Sequence, residues 1–385
     1  MRKRATEIFG IALLILAMSS MSPAPARAGD SFFGERQEQE PVEVLCDPHC
    51  PDSLGSDGSW VAIPAVFSTP ETGFGGGPAA GYIFPRTLAR HPSTIFSTFF
   101  YTEKKQIISV LAPEVYFAGG GRIYATLSYQ KFPDSFWGIG PETDPGDEEN
   151  FTPEFFSARL LGQLELAPDL RAGAQYLFRG ETILETDPGG ALATGAVAGS
   201  EGGVRSGAGL LVTYDTRDNL FSSRSGWFAE LSHVTYGGVL GSEHDFSSAG
   251  LDLRRFFEVI PSHVVALRLY ARSTGGGDVP FQDMPALGGQ GDMRGFQQGR
   301  YRDRTAVYMQ AGFRFPMYWR IRGAVFGSAG SVAEGLFDLE AGRMKYAGGG
   351  GLRILLNEQR FALRIDYAVG SGSSSGFYFT TNEAF

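Results

Sequence analysis

The sequence predicts an all-β fold, a sixteen-stranded antiparallel transmembrane β-barrel. Three observations carry that expectation. The chain opens with an export signal and afterwards has no apolar run near eighteen residues, so no membrane helix is available. Long stretches alternate apolar and polar residues with period two. The links between those stretches alternate between tight and long, as the two rims of a membrane barrel require.

The elements follow in chain order. Arg2, Lys3 and Arg4 precede a short apolar run from Ile8 to Met18, and Ala26-Arg27-Ala28 is a small-x-small cleavage site. Residues 1–28 therefore read as a secretory signal peptide. Removing them leaves 29 basic and 41 acidic residues, which argues against nucleic acid as a partner. Residues 29–59 hold charge, Pro, Ser and Gly without periodicity and read as a short disordered periplasmic leader. Both cysteines, Cys46 and Cys50, lie there in CDPHC. In an exported chain they read as a local disulfide, with a weak metal site beside His49 as the other reading.

The barrel is expected over residues 60–385. Its candidate strands are 60–68, 77–85, 93–103, 106–118, 121–132, 153–166, 169–180, 205–215, 226–237, 245–259, 262–273, 304–316, 319–329, 343–357, 359–370 and 376–385. In 121–131 one face is Ile123, Ala125, Leu127 and Tyr129, and the other is Arg122, Tyr124, Thr126, Ser128 and Gln130. In 304–315 Val307, Met309, Ala311, Phe313 and Phe315 oppose Arg304, Tyr308, Gln310 and Arg314. In 359–369 Phe361, Leu363, Ile365, Tyr367 and Val369 oppose Arg360, Arg364 and Asp366. Strands of about ten residues suit a tilted span of the hydrocarbon layer, whereas soluble strands average about five or six. The apolar faces then turn to lipid and the charges to the lumen. Links after even strands are mostly tight (118–120, 167–169, 260–262, 357–359), and those after odd strands are often long (133–152, 181–204, 274–303, 330–342). An even count puts both chain ends in the periplasm.

Enzyme chemistry finds no support. The five histidines make no H-E-x-x-H, and no phosphate-binding Walker loop appears. GSSSG at 372–376 satisfies a nucleophile-elbow pattern but sits in a Ser/Gly hairpin instead of a strand-to-helix turn. The acidic run 141–150 lacks calcium-loop spacing and reads as a solvated outer loop. No metal and no cofactor is expected.

LGGQGDMRGF (287–296), between the eleventh and twelfth strands, resembles the sixth-loop tip of the BamA/TamA (bacterial surface antigen) superfamily of outer-membrane assembly proteins. YDTRDNLFSSRSGW (214–227), FRFP (313–316), GGGGLRI (348–354), LRIDYA (363–368) and FYFTTNEAF (377–385) resemble further family segments in the same order. The resemblance covers 205–385 and extends weakly to Trp60. It implies a sixth outer loop folded into the lumen, with Asp292, Met293, Arg294, Gly295 and Phe296 at its tip and Arg294 against charged groups on the wall. It also implies a bacterial outer-membrane location.

Three departures qualify that reading. Ser328 stands where the family commonly has an acid for the arginine, and Gly312 where it has a glutamate. Asp366, lumen-facing on strand fifteen, is a substitute partner, and Asp292 is a local brace. The family's client-binding POTRA modules precede the barrel, and 29–59 is too short for one, so a barrel-only member is expected. The family also implies a weak seam between first and last strands. Pro64 fits an edge there, or else a bulge or strand start, and Phe377, Phe379 and terminal Phe385 mark the closing strand and its C-terminal signal. The implied role is assisting insertion or translocation of proteins or lipids, with outer-membrane lipid, lipopolysaccharide and unfolded outer-membrane proteins as partners. The rival is a passive pore or surface-binding barrel, with Arg122, Arg304, Arg314, Arg320, Arg322, Arg353, Arg360 and Arg364 lining its lumen.

Overall fold

The structure, a computed structural model, describes residues 58–85, 93–117, 119–219, 221–356 and 360–385. The signal peptide, the leader with Cys46 and Cys50, and the 357–359 link lie outside them. Sixteen strands form the wall: β1 Ser59–Thr69, β2 Gly73–Ile83, β3 Thr94–Thr102, β4 Ile107–Tyr116, β5 Gly121–Lys131, β6 Glu149–Ala167, β7 Leu170–Thr186, β8 Gly202–Asp215, β9 Gly226–Tyr236, β10 Phe246–Ile260, β11 His263–Gly276, β12 Thr305–Tyr318, β13 Ile321–Ala333, β14 Lys345–Leu355, β15 Ala362–Gly370 and β16 Ser374–Thr381. Each pairs antiparallel with its chain neighbours, and β1 meets β16 to close the cylinder. No POTRA-like module is present among the described residues.

Period-two patterning sets which way each side chain points. Along β3 burial alternates strictly, with Thr94, Phe96, Thr98, Phe100 and Thr102 inward and Ile95, Phe99 and Tyr101 outward. On β5, Ile123, Leu127 and Tyr129 are exposed on the outer face, while Arg122, Thr126, Ser128 and Gln130 are buried within. Enclosed charges need partners, because an isolated ion away from water is costly. Arg122 accordingly donates to Gln163 at 2.7 Å and to Glu114 at 3.2 Å.

Several strand boundaries differ from the pattern reading. β6 and β7 run 19 and 17 residues, longer than expected, so the link between β7 and β8 shrinks to 187–201. Phe361 precedes β15, and Arg360 has a positive φ of 65°, so the alternation breaks there. Phe361 is therefore buried against Phe221 instead of facing lipid. The last strand stops at Thr381. Asn382 takes φ 58°, and the final residues turn into the barrel, where Phe385 packs on Phe256 and Ala266.

Contacts between loops and wall form at both ends of the barrel. Outside, Phe281 of the sixth outer loop packs on Phe136 and Phe151 of its neighbours at centroid distances of 5.0 and 5.4 Å. Arg302 lies against both the Phe136 and Phe281 rings and donates to the Phe281 carbonyl at 3.1 Å. On the periplasmic side the link 216–225 crosses beneath the barrel. Arg314 of β12 donates to the Ser223 carbonyl at 2.7 Å, and Arg360 beside β15 reaches Asp218 at 2.7 Å.

Candidate functional site: the seat of the sixth loop and the strand seam

The sixth outer loop leaves β11 at Gly276 and forms a small hairpin, Ala286–Leu287 against Tyr301–Arg302. Beyond it the chain dives into the lumen. Gly288 makes the turn possible: its φ is 105°, and a Cβ there would stand 2.2 Å from the Gln297 carbonyl oxygen. Within the tip each residue has a separate contact. Asp292 accepts from the Tyr308 hydroxyl at 2.6 Å and from Arg268 at 3.2 Å. Met293 is fully buried among Tyr270, Leu287, Tyr308 and Val332. Gly295 N–H donates to the Tyr378 hydroxyl of β16 at 3.1 Å. Phe296 meets Tyr301 edge-on and covers Gly370, which has no side chain to obstruct it.

Arg294 makes the deepest contact. Its guanidinium pairs with Asp366 of β15 and lies over the Phe326 ring of β13, 3.4 Å from the centroid. Asp366 also pairs with Arg353 of β14 and sits 3.5 Å from Arg364. Antiparallel register explains the convergence: Asp366 stands opposite Gly351, and Arg353 opposite Arg364, all on the inner face. Gly351 leaves the space, since a Cβ there would be 2.0 Å from an Asp366 oxygen. Arg353 continues the chain to Glu383 in the inturned tail at 2.9 Å, and Glu383 lies 3.5 Å from Arg314. Arg314 in turn holds the periplasmic link through Ser223. One ionic network thus joins loop tip, wall, C-terminal tail and periplasmic link. Four guanidiniums face two carboxylates in it, which leaves the seat electropositive.

A second tether holds the loop nearer the outer rim. Arg205 of β8 pairs with Asp283 at 2.8 Å and also with Glu181 of β7, whose other partner is Arg179 at 2.9 Å.

The seam is a different kind of feature. β1 and β2 register along their whole length, from Ser59 opposite Ile83 to Thr69 opposite Gly73. β1 and β16 register at a single pair, Ser68 opposite Phe379. β16 is only eight residues long, and its chain turns inward at Asn382 before it can extend the ladder along β1.

A family profile described as "Omp85 superfamily domain" matches residues 159–385. The chain belongs to the Omp85 superfamily. Two solved structures share its fold. BamA from Haemophilus ducreyi lacking POTRA domains 1–3 aligns with TM-score 0.61 at 12% identity, covering 85% of this chain and 70% of that one. CdiB from Acinetobacter baumannii aligns with TM-score 0.54 at 11% identity, covering 86% of this chain and 60% of its own. No curated protein sequence matches the chain. The fold and family make it a bacterial outer-membrane protein.

In this Omp85 barrel the residues singled out from sequence fall into three groups. Arg294 and Asp366 meet directly. Ser328 does not serve as the partner: its hydroxyl donates to the Ala347 carbonyl at 3.5 Å, and Phe326, two residues earlier, supplies the ring under Arg294 instead. Asp292 braces the loop through Arg268 and Tyr308 and not through Arg294. At the seam, Pro64 stands opposite Pro78 of β2, Phe377 is exposed on the outer wall, and Phe379 carries the one registered contact. Phe385 lies inside the barrel. Three of the arginines read as lumenal sit elsewhere, among them Arg360, which precedes β15 and pairs with Asp218 of the periplasmic link. Arg320 lies exposed on a periplasmic turn over Trp319, and Arg304 at the outer rim reaches the Gly276 and Gly277 carbonyls at 3.4 Å. The sequence reading missed Glu383, Tyr378, Phe326 and the Arg205–Asp283 tether. Strand alternation could have placed Tyr378 and Phe326 near the seat, but only the fold brings Glu383 to Arg353 and Asp283 to Arg205.

Proposed function

We propose that this barrel assists outer-membrane biogenesis, inserting or translocating proteins or lipids, and that its working element is the β1–β16 seam. The single registered pair between those strands carries the reading. A ladder stabilised along its length resists opening, whereas one joined at a single rung exposes unpaired N–H and C=O groups that an incoming strand can complete. The wall is also lowest there. A spanning strand needs about 9–11 residues, and β16 has eight against 19 in β6, which favours local thinning of the bilayer beside the seam. Unfolded outer-membrane proteins, lipid and lipopolysaccharide are the partners this reading names, and it needs no covalent chemistry. The sixth loop seated in the lumen narrows the axial path, which favours the seam over a steady pore.

The test locks the seam. Opposed Cα atoms in an antiparallel pair stand about 4.5–5.5 Å apart, within reach of a disulfide. Ser68→Cys and Phe379→Cys, with Cys46 and Cys50 replaced by Ser, should crosslink under oxidation. Cells carrying the oxidised form should lose other β-barrels from the outer membrane as a deletion strain does, and reductant should restore them. Normal assembly with the seam fully crosslinked would sink the proposal.

A further inference from the structure

We propose that Arg255, Trp227 and Phe257 form a site on the outer wall for the phosphodiester of a phospholipid in the periplasmic leaflet. The site begins with two adjacent arginines on β10. Strand alternation must send them to opposite faces. Arg254 turns inward and donates to Asp252 at 3.0 Å. Arg255 turns outward, opposite Trp227 of β9 and Leu267 of β11, whose side chains are exposed on the lipid face. Its guanidinium lies 4.8 Å from the Trp227 ring centroid and 4.7 Å from that of Phe257.

This cation has neighbours but no counter-charge. Its Nε is buried without a hydrogen-bond partner, and among the described residues no carboxylate or carbonyl reaches it. The nearest acids along the strand are engaged elsewhere: Asp252 accepts from Arg254 and Arg268 inside the barrel, and Glu258 accepts from Ser262 N–H at 2.5 Å and faces Arg224 at 3.9 Å. The other strand arginines of the described wall point into the lumen, and all of them but Arg322 have carboxylate, hydroxyl, carbonyl or aromatic contacts there.

Depth then identifies the missing partner. An unpaired cation is costly in the hydrocarbon and tolerated only where the headgroups begin. Trp227 stands one residue into β9 from the periplasmic rim, the level at which tryptophan marks a membrane interface. A guanidinium held there by two rings presents its fork to the phosphate layer, and phosphate takes that fork bidentately. The aromatic faces fix the group in place and lie against the first carbons of the acyl chains. A partner protein would instead have to cover the exposed apolar side chains beside it, Leu267 and Phe257, in place of lipid.

The test uses the full barrel in detergent and native mass spectrometry, with phosphatidylglycerol, diacylglycerol and inorganic phosphate as probes. Wild type should retain phosphatidylglycerol and not diacylglycerol. Arg255→Leu, shown folded by its heat-dependent gel shift, should retain about tenfold less, the loss of one charged hydrogen-bond pair. Trp227→Leu, which keeps the charge and removes one ring, should fall between. Equal phospholipid retention in wild type and Arg255→Leu overturns the site. So does equal retention of diacylglycerol, which would make the contact merely apolar. Inorganic phosphate binding as well as the lipid, and competing it away, would leave an anion site and overturn the lipid assignment.

Discussion

Arg294, at the tip of the sixth outer loop, forms an ion pair with Asp366, which follows it by 72 residues and stands on the inner face of β15. The two partners are not equivalent. Asp366 also holds Arg353 and lies beside Arg364, so it is the hub for three cations.

Unequal costs follow from that asymmetry. Arg294→Ala leaves Asp366 with two guanidiniums and frees only the loop tip. Asp366→Asn strips the carboxylate from all three at once, and breaking a buried pair by removing one partner costs about 3–5 kcal/mol. The temperature at which the folded gel band converts to the unfolded one should therefore drop further for Asp366→Asn than for Arg294→Ala. The reverse order would mean that the loop, and not the wall, depends on this contact.

Gly295 should tolerate no side chain. Its φ is 110°, and a Cβ would stand 2.8 Å from the Val369 carbonyl carbon, which is backbone and cannot swing aside. Strain of this kind costs about 1–3 kcal/mol. Gly295→Ala should lift the tip from its seat and expose the Arg294–Gly295 bond. Trypsin, which finds Arg294 buried in the wild type, should then cleave the folded barrel there. Unchanged resistance would show that the loop adjusts without leaving the lumen.

How much of this was legible beforehand depends on the kind of information. Strand alternation is local, so the strand count, the inward Arg364 and Asp366 and the outward Met309 and Leu127 follow from period two. The Arg294–Asp366 contact was within reach because both residues belonged to recognisable segments, although Ser328 competed for the role. What could not be read depends on single backbone conformations. The positive φ of Asn382 takes Glu383 and Phe385 from the wall into the lumen, and that of Arg360 does the same for Phe361. A two-residue rule continues straight through such positions. The contacts of the periplasmic link 216–225 were invisible for a second reason: they are made with Arg314 of β12 and with Arg360 and Phe361 before β15, all distant in sequence.

That link should respond to acid. Burial alone would raise the Asp218 carboxyl, but the Arg360 hydrogen bond and the N–H groups of Ser225 and Arg224 outweigh it and hold the group below the usual aspartate range. A depressed folded-state value means that the stabilisation is present above the unfolded value, about 3.9, and is lost as pH falls through the lower folded one. Amides in 216–225 should stay protected from exchange at neutral pH and loosen only below about pH 4. Asp218→Asn should loosen them at neutral pH. Protection in that variant equal to wild type would place the hold on the link in Arg314 and the Phe221–Phe361 contact alone.

Ion flow through the purified barrel should be limited by two obstructions in series. The sixth loop with its Phe136–Phe151–Phe281 packing stands at the outer end, and the 216–225 link, held by Arg314 and Arg360, stands at the inner one. Resistances in series add, so the remaining obstruction governs when either is removed. Replacing 278–303 by a short Gly-Ser linker should yield at most brief openings in planar bilayers, and shortening 218–224 alone should do the same. Only the combined variant should conduct steadily, and its current should show anion preference, because the exposed wall keeps Arg314, Arg353 and Arg364 against Asp366 and Glu383. A steady channel after loop replacement alone would show that the periplasmic link does not seal, and would restore the pore as a competitor to the seam.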